Sequence, residues 1–321
     1  MGFRILGTGS AAPAKRLTND DLSRMVDTSD EWITTRVGVK ERRVAVDETT
    51  SSLAAEAARQ ALAMGETKPE ELDLIIAATI TADNLSPSTA GEVQEALGAK
   101  CPAFDISSAC SGFLFALETA AGFFARGTVG KVLVIGAERV SRILDWTDRS
   151  TCVIFGDGAG AALLGAAEEE HYLVSELDTA GGSDVIQIPA FRGSSPFREE
   201  KEGERPPVIF MAGQETFRFA VGQMVGHIRS MAGKLGIDPA ELDLVVPHQA
   251  NVRIIDFAAK KLGLPAEKFV VNIERYGNTA AASVPIALDE ANRAGRIRPG
   301  DLVAMVAFGG GLSSAGAVLK W

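Results

Sequence analysis

One short pattern recurs in this chain at a fixed shift, and it restricts the possible folds more than any other feature. Pro69 to Ile76 reads PEELDLII and Pro239 to Val246 reads PAELDLVV, while Gly130 and Gly300 each open an apolar run; both pairs are offset by 170 positions. Two unrelated pairs at one offset point to an ancestral duplication rather than to chance likeness between similar units. The chain therefore reads as two similar halves, 1–170 and 171–321, stacked on each other. Around the repeat, ELDLIIAAT, KVLVIGA, ELDLVVP and DLVAMVAF read as strands. SLAAEAARQALAM, the segment after Cys110, ETFRFAVGQMVGHIRSMAGKLG and VRIIDFAAKKLG read as helices, with apolar positions every three to four residues and Gly closing most of them. Strands interleaved with helices imply a layered α/β fold. Residues 191–207, rich in charge, Gly and Pro, read as a surface loop.

Composition excludes several classes of function. With 46% hydrophobic residues in a 321-residue chain, a large buried core is expected. A net charge of −10 disfavours nucleic acid and anionic membranes, whose affinity depends on clustered Lys and Arg. No apolar run reaches membrane-spanning length, and MGFRILGTGS carries neither an export nor a myristoylation pattern. Cys101, Cys110 and Cys152 are odd in number and widely spaced, which argues for a reducing, cytoplasmic setting over a disulfide framework.

Gly7, Gly9 and Ala12 fit the spacing of a dinucleotide-binding turn, but AAPAKRLTND has no helical periodicity to place amides on a pyrophosphate. Gly156, Gly158 and Gly160 lack the Lys-Ser/Thr of a phosphate loop, so close sheet packing is their expected use. Cys110, in DISSACSGFLFAL, is different. A free cysteine is more often a small buried hydrophobe, yet this one stands where a strand gives way to an uncharged helix. The unpaired amides and positive dipole end of that helix are expected to favour thiolate, and the same amides could hold an oxyanion. In the shifted frame Cys110 falls beside ERYGNTAAASVPIAL, so a loop of the second half should face it. Of three histidines, His171 follows three Glu and reads as exposed, and His227 sits in an amphipathic helix. His248, with Gln249 and Asn251, follows a buried strand into a loop, the usual position for chemistry in such folds. Asn278 stands at another loop-to-helix junction, where a helix cap is the ordinary use; Cys110, His248 and Asn278 form a set suited to thiol chemistry.

Six motifs in order, TSDEWITTRVGVKERR, PAFDISSACSGF, FGDGAGA, PHQANVRII, ERYGNTAAASVPIAL and AFGGGLSSAG, make the chain resemble the β-ketoacyl-acyl carrier protein synthase III family over essentially its whole length. The resemblance implies a thiolase-like five-layered α-β-α-β-α sandwich of duplicated halves, and a homodimer. It implies that Cys110 accepts an acyl group from acyl-coenzyme A, and that His248 and Asn278 bind the malonyl thioester carbonyl and stabilise the enolate left by decarboxylation, without a metal. The amides of Cys110 and Gly310 would hold the tetrahedral oxyanion. Coenzyme A enters as a thioester substrate, with no tightly bound cofactor: its adenine would lie between Trp32 and Arg149, near Thr28 and Arg36, with Asn251 on the pantetheine arm. Arg218, Arg253, Lys260 and Lys261 would form the basic face for malonyl-acyl carrier protein. Ser86 stands where some relatives carry an aromatic that closes the acyl pocket from the neighbouring subunit, Phe308 is placed at that pocket, and Leu312, Ser313 and Ser314 replace a bulkier tail; a longer or branched primer is expected. The same residues also suit a related condensing or acyl-transfer enzyme of polyketide or specialised lipid assembly, an acyl-carrier-binding scaffold, or a thioester hydrolase.

Overall fold

The computed structural model describes residues 2–190 and 206–321, so the loop expected at 191–207 falls almost entirely outside the described residues. Strands Gly2–Ala11, Asp157–Ala167, Lys131–Arg139, Leu74–Ala78 and Ala103–Ile106 form one sheet in that spatial order. Tyr172–Thr179, Ser313–Lys320, Leu302–Gly309 and Leu244–Pro247 form a second in the corresponding order. The pairing senses match. Leu74–Ala78 runs parallel to Lys131–Arg139, which is antiparallel to its other neighbour; Leu244–Pro247 and Leu302–Gly309 repeat this. The fifth strand of the first sheet has its counterpart in a single parallel bridge, Val245 to Phe269.

The repeated residues have repeated uses. In both halves the Pro-x-Glu part forms a 3₁₀ turn, Pro69–Glu71 and Pro239–Glu241, and the strand starts only at Leu74 and Leu244. Glu71 and Glu241 each accept the amide three residues back, Lys68 N and Asp238 N, at 2.8 Å, which closes the turn that Pro at the first position prepares. The following Asp ties that strand to its parallel neighbour: Asp73 accepts Lys131 N at 2.9 Å and Asp243 accepts Leu302 N at 2.8 Å.

Period-2 alternation in the central strands sorts the side chains into layers. Leu74, Ile76, Val132 and Val134 face inward, where they meet helices Gly112–Ala125 and Ser283–Arg293 and the inner residues Val246, Val303 and Met305 of the second sheet. Ile75, Ala77, Leu133 and Ile135 face helices Thr50–Met64 and Thr89–Leu97. Val245, Ala304, Val306 and Val318 face helices Gly213–Leu235 and Val252–Leu262. The result is the expected five layers, helix, sheet, helices, sheet, helix.

The glycine motifs serve packing. Gly7 and Gly9 lie within the strand Gly2–Ala11, and a Cβ on Gly160 would stand 2.6 Å from the Ile286 amide, so only glycine lets strand Asp157–Ala167 meet helix Ser283–Arg293. His171 is half-buried against the Lys320 carbonyl, at 3.0 Å. His227 is a core residue: its ring nitrogens contact Glu176 at 2.8 Å and Ser314 at 3.0 Å.

Candidate active site

Strand Ala103–Ile106 ends against a 3₁₀ turn, Ala109–Ser111, that leads into the central helix Gly112–Ala125. Ala109 has φ 45°, a left-handed conformation that costs an L-residue about 1–2 kcal/mol. It presents Cys110 at the head of the helix. The second half repeats the device: Ala280, φ 46°, opens the 3₁₀ turn Ala280–Ala282 before helix Ser283–Arg293, with Ala281 where the first half has cysteine. The two turns meet at the pseudo-twofold centre, where a Cβ on Gly112 would lie 3.6 Å from that of Ala281. Gly309 crosses directly over the Cys110 turn; a Cβ there would sit 2.8 Å from both the Cβ and the amide nitrogen of Cys110. Ser313 fastens the same crossing, its hydroxyl lying 2.6 Å from that of Ser111 and 2.9 Å from the Gly310 carbonyl. The Ser pair after the glycines, expected to widen the acyl site, is thus a structural tie, with Ser314 on His227.

Cys110, His248, Asn278, Phe308, Gly310 and Asn251 line one cavity of about 800 Å³, whose other walls combine apolar side chains such as Ile143, Ile186, Ile209 and Phe217 with polar ones that include Asp83 and Arg142. The expectation of a resting thiolate is corrected. Burial pushes the Cys110 thiol up to about 12, and the nearby Glu138 carboxylate adds to the shift. A helix dipole contributes about 0.3–1 kcal/mol, whereas desolvating an ion costs several, so the thiol form wins. Glu138, which sequence inspection missed, is itself buried and pushed up to about 8 by desolvation. It accepts Thr81 Oγ1 at 2.5 Å and Ile80 N at 3.2 Å, and it also takes the Ala281 amide, filling the place in the second half that an oxyanion could take in the first.

His248 follows strand Leu244–Pro247, its amide donating to Val306 O at 2.7 Å. Its ring lies edge-on to Phe308, centroids 5.3 Å apart, so Phe308 supports the imidazole as well as lining the cavity. Burial lowers the imidazole to about 3, leaving it neutral. Gln249 takes no part: it donates to the Pro247 and Val270 carbonyls, both at 2.9 Å, and staples the loop. Asn278 accepts the Ala280 amide at 2.8 Å. Since an N–H must meet the side-chain oxygen, the Asn278 amino group is left as a donor on the cavity side. A buried neutral imidazole and a buried carboxamide lining one cavity suit an oxyanion or enolate.

Trp32, Arg36 and Arg149 cluster away from the cavity lining, both guanidinium carbons 5.4 Å from the indole centroid. A base stacked between Trp32 and Arg149 needs about two 3.5 Å spacings, so Arg149, held by the Asp27 carbonyl at 2.6 Å, must shift outward to admit one. The Thr28 hydroxyl is buried without a partner among the described residues. Asn251 joins cluster to cavity: it caps helix Val252–Leu262 and donates to Arg36 O at 3.0 Å. Lys260 lies in the last turn of that helix. Arg253 and Lys261 lie 5.9 Å from Phe217 and Phe257, and Arg218 pairs with Glu215 at 3.3 Å; with half-exposed Phe257 they form a basic and aromatic surface. Ser86 is exposed and outside this chain's own cavity, which its neighbours Asn84 and Leu85 line.

Two family models match: 3-oxoacyl-[acyl-carrier-protein (ACP)] synthase III over residues 104–181 and its C-terminal model over 233–321. A β-ketoacyl-[acyl-carrier-protein] synthase III of Caldanaerobacter subterraneus is 50% identical over 321 residues, covering 99% of this chain and 97% of that one. The crystal structure of the Aquifex aeolicus 3-oxoacyl-[acyl-carrier-protein] synthase III superposes with a TM-score of 0.93 at 47% identity over 100% of both chains. The priming β-ketosynthase of the R1128 polyketide pathway superposes with 0.91 at 36% identity, over 99% of this chain and 96% of that one. By fold, motif order and full-length identity, the chain belongs to the β-ketoacyl-[acyl-carrier-protein] synthase III family.

Proposed function

We propose that the enzyme condenses an acyl-coenzyme A primer with malonyl-acyl carrier protein by decarboxylating Claisen chemistry, with Cys110 as nucleophile. The observation that carries this is the convergence of Cys110, His248 and Asn278 on one cavity from both halves of the chain. In the first step the Cys110 sulfur replaces coenzyme A on the acyl carbonyl, and the thiol proton ends on the departing coenzyme A sulfur. In the second, the malonyl group loses carbon dioxide and its electron pair moves to the thioester oxygen, where His248 and Asn278 donate. The enolate carbon then attacks the acyl-cysteine, and the Cys110 sulfur leaves and regains a proton. On this reading the amides of Cys110 and Gly310 hold the tetrahedral oxyanion, and coenzyme A uses Thr28, Trp32, Arg36, Arg149 and Asn251 with no tightly bound cofactor. The carrier protein docks on Arg218, Arg253, Lys260 and Lys261. The working form is a cytoplasmic homodimer, in which Ser86, small where an aromatic would close the acyl pocket of the neighbouring subunit, leaves that pocket deeper.

Incubation with a panel of acyl-coenzyme A thioesters, followed by intact-mass analysis and a chase with malonyl-acyl carrier protein, tests the reading. One acyl adduct, discharged only with carbon dioxide release, is the expected result; adducts shed to water alone would make the protein a hydrolase. The apolar cavity walls favour primers longer than acetyl, each buried methylene adding about 0.8 kcal/mol. The likeness to the polyketide priming ketosynthase supports a second setting for the same chemistry, and primer preference in the panel separates the two.

His248 supplies a pH prediction. An imidazole lowered from 6.5 to about 3 keeps its charge state across the neutral range. Malonyl decarboxylation by the acylated enzyme should therefore show no inflection between about pH 5.5 and 7.5; a histidine-like limb near 6.5 would contradict the buried neutral ring.

A further inference from the structure

The Ser283 hydroxyl stands 2.5 Å from His248 Nδ1 and accepts the Gln249 amide at 3.2 Å. We propose that Ser283 is a positioning residue that sets the tautomer of His248, placing the imidazole proton on Nε2 and making the ring a donor toward the cavity. The inference rests on the functional reading above.

The argument is one of counting protons. Burial keeps the ring neutral, so a single nitrogen carries hydrogen. If that were Nδ1, the Ser283 oxygen would accept twice, from Nδ1–H and from Gln249 N–H. Its own hydrogen would then have no acceptor among the described residues, in a side chain 2% exposed. With the proton on Nε2, every group is satisfied: Gln249 N–H donates to Ser283, Ser283 O–H donates to Nδ1, and Nε2–H is free for substrate. An unmade buried hydrogen bond is the larger penalty in such a balance, so the second arrangement wins. Gln249 is held in turn by its own side chain on Pro247, Val270 and Asn272, which fixes the amide that occupies Ser283. Ser283 opens the helix that follows the turn Ala280–Ala282, whose first amide holds Asn278, so both donors are oriented by one six-residue stretch, 278–283. A donor at Nε2 has a consequence for the first half-reaction. It cannot receive the Cys110 proton there, so acyl transfer to Cys110 does not depend on His248 as a base.

The test uses the full-length protein labelled with ¹⁵N-histidine, and the two-bond ¹H–¹⁵N spectrum that reports which ring nitrogen carries hydrogen. The wild-type His248 signal should be the Nε2–H form, and Ser283→Ala should move it toward Nδ1–H. In the same variant, malonyl decarboxylation by the acylated enzyme should fall on the order of 10²-fold, the loss of one oriented oxyanion donor. Acylation of Cys110 by acyl-coenzyme A should stay within about threefold, and Ser283→Thr, which keeps the hydroxyl, should restore the wild-type tautomer. A wild-type Nδ1–H signal overturns the proposal even if no variant folds. Equal loss of both half-reactions with the tautomer unchanged overturns it as well. Absence of condensation in the wild type would instead defeat the functional reading and leave the spectrum to decide the tautomer.

Discussion

Cys110→Ala is expected to remove the acyl adduct entirely and to lower condensation by on the order of 10⁴-fold or more, the scale of losing a covalent nucleophile. The fold should survive, because among the described residues no hydrogen bond from the Cys110 side chain to another residue holds the turn: the crossing of Gly309 and the Ser111–Ser313 contact do so through other atoms. Intact mass after incubation with acyl-coenzyme A and product analysis after addition of malonyl-acyl carrier protein measure the two effects. An adduct that persists in Cys110→Ala, on Cys101 or Cys152, would break the assignment; those thiols are unpaired but buried. Retained biological activity without any adduct would favour the carrier-binding scaffold.

The second large effect belongs to the donors. His248→Ala and Asn278→Ala should each slow malonyl decarboxylation by about 10²–10³-fold while Cys110 still becomes acylated, since the oxyanion of the first step is assigned to backbone amides. Separate assays of acyl transfer and of carbon dioxide release resolve this. If either substitution blocked acylation as strongly as decarboxylation, His248 or Asn278 would be serving the thiol rather than the enolate. Removing a 1% exposed imidazole also strips Ser283 of its acceptor and Phe308 of its edge contact, so a lower Tm is expected for His248→Ala than for Asn278→Ala.

Much of this could be read in the chain because the signals are local or periodic. The PxELD repeat carries a cap, a strand start and a cross-strand tie, each made by residues a few positions apart or by one Asp, and so it survives as a visible pattern. Strand Gly2–Ala11 and strand Ser313–Lys320 were harder to read, because their small residues answer to a helix or a neighbouring strand that only folding brings near. Glu138 looks like an ordinary charge at a strand end, and Ser283 like one more small residue in an alanine-rich run.

Periodicity and motif order belong to the chain itself, so the internal repeat, the alternation of strand and helix, and the proposal that places the chemistry on Cys110, His248 and Asn278 could all be drawn from it. Only the tertiary structure decided the states of those groups. Cys110 stands at a helix head as its sequence implies, yet desolvation pushes its thiol up to about 12. His248 is neutral through burial and meets Ser283 from a position 35 residues away. Protonation and orientation depend on how much water and which partners surround a group, and folding sets both by bringing distant segments together.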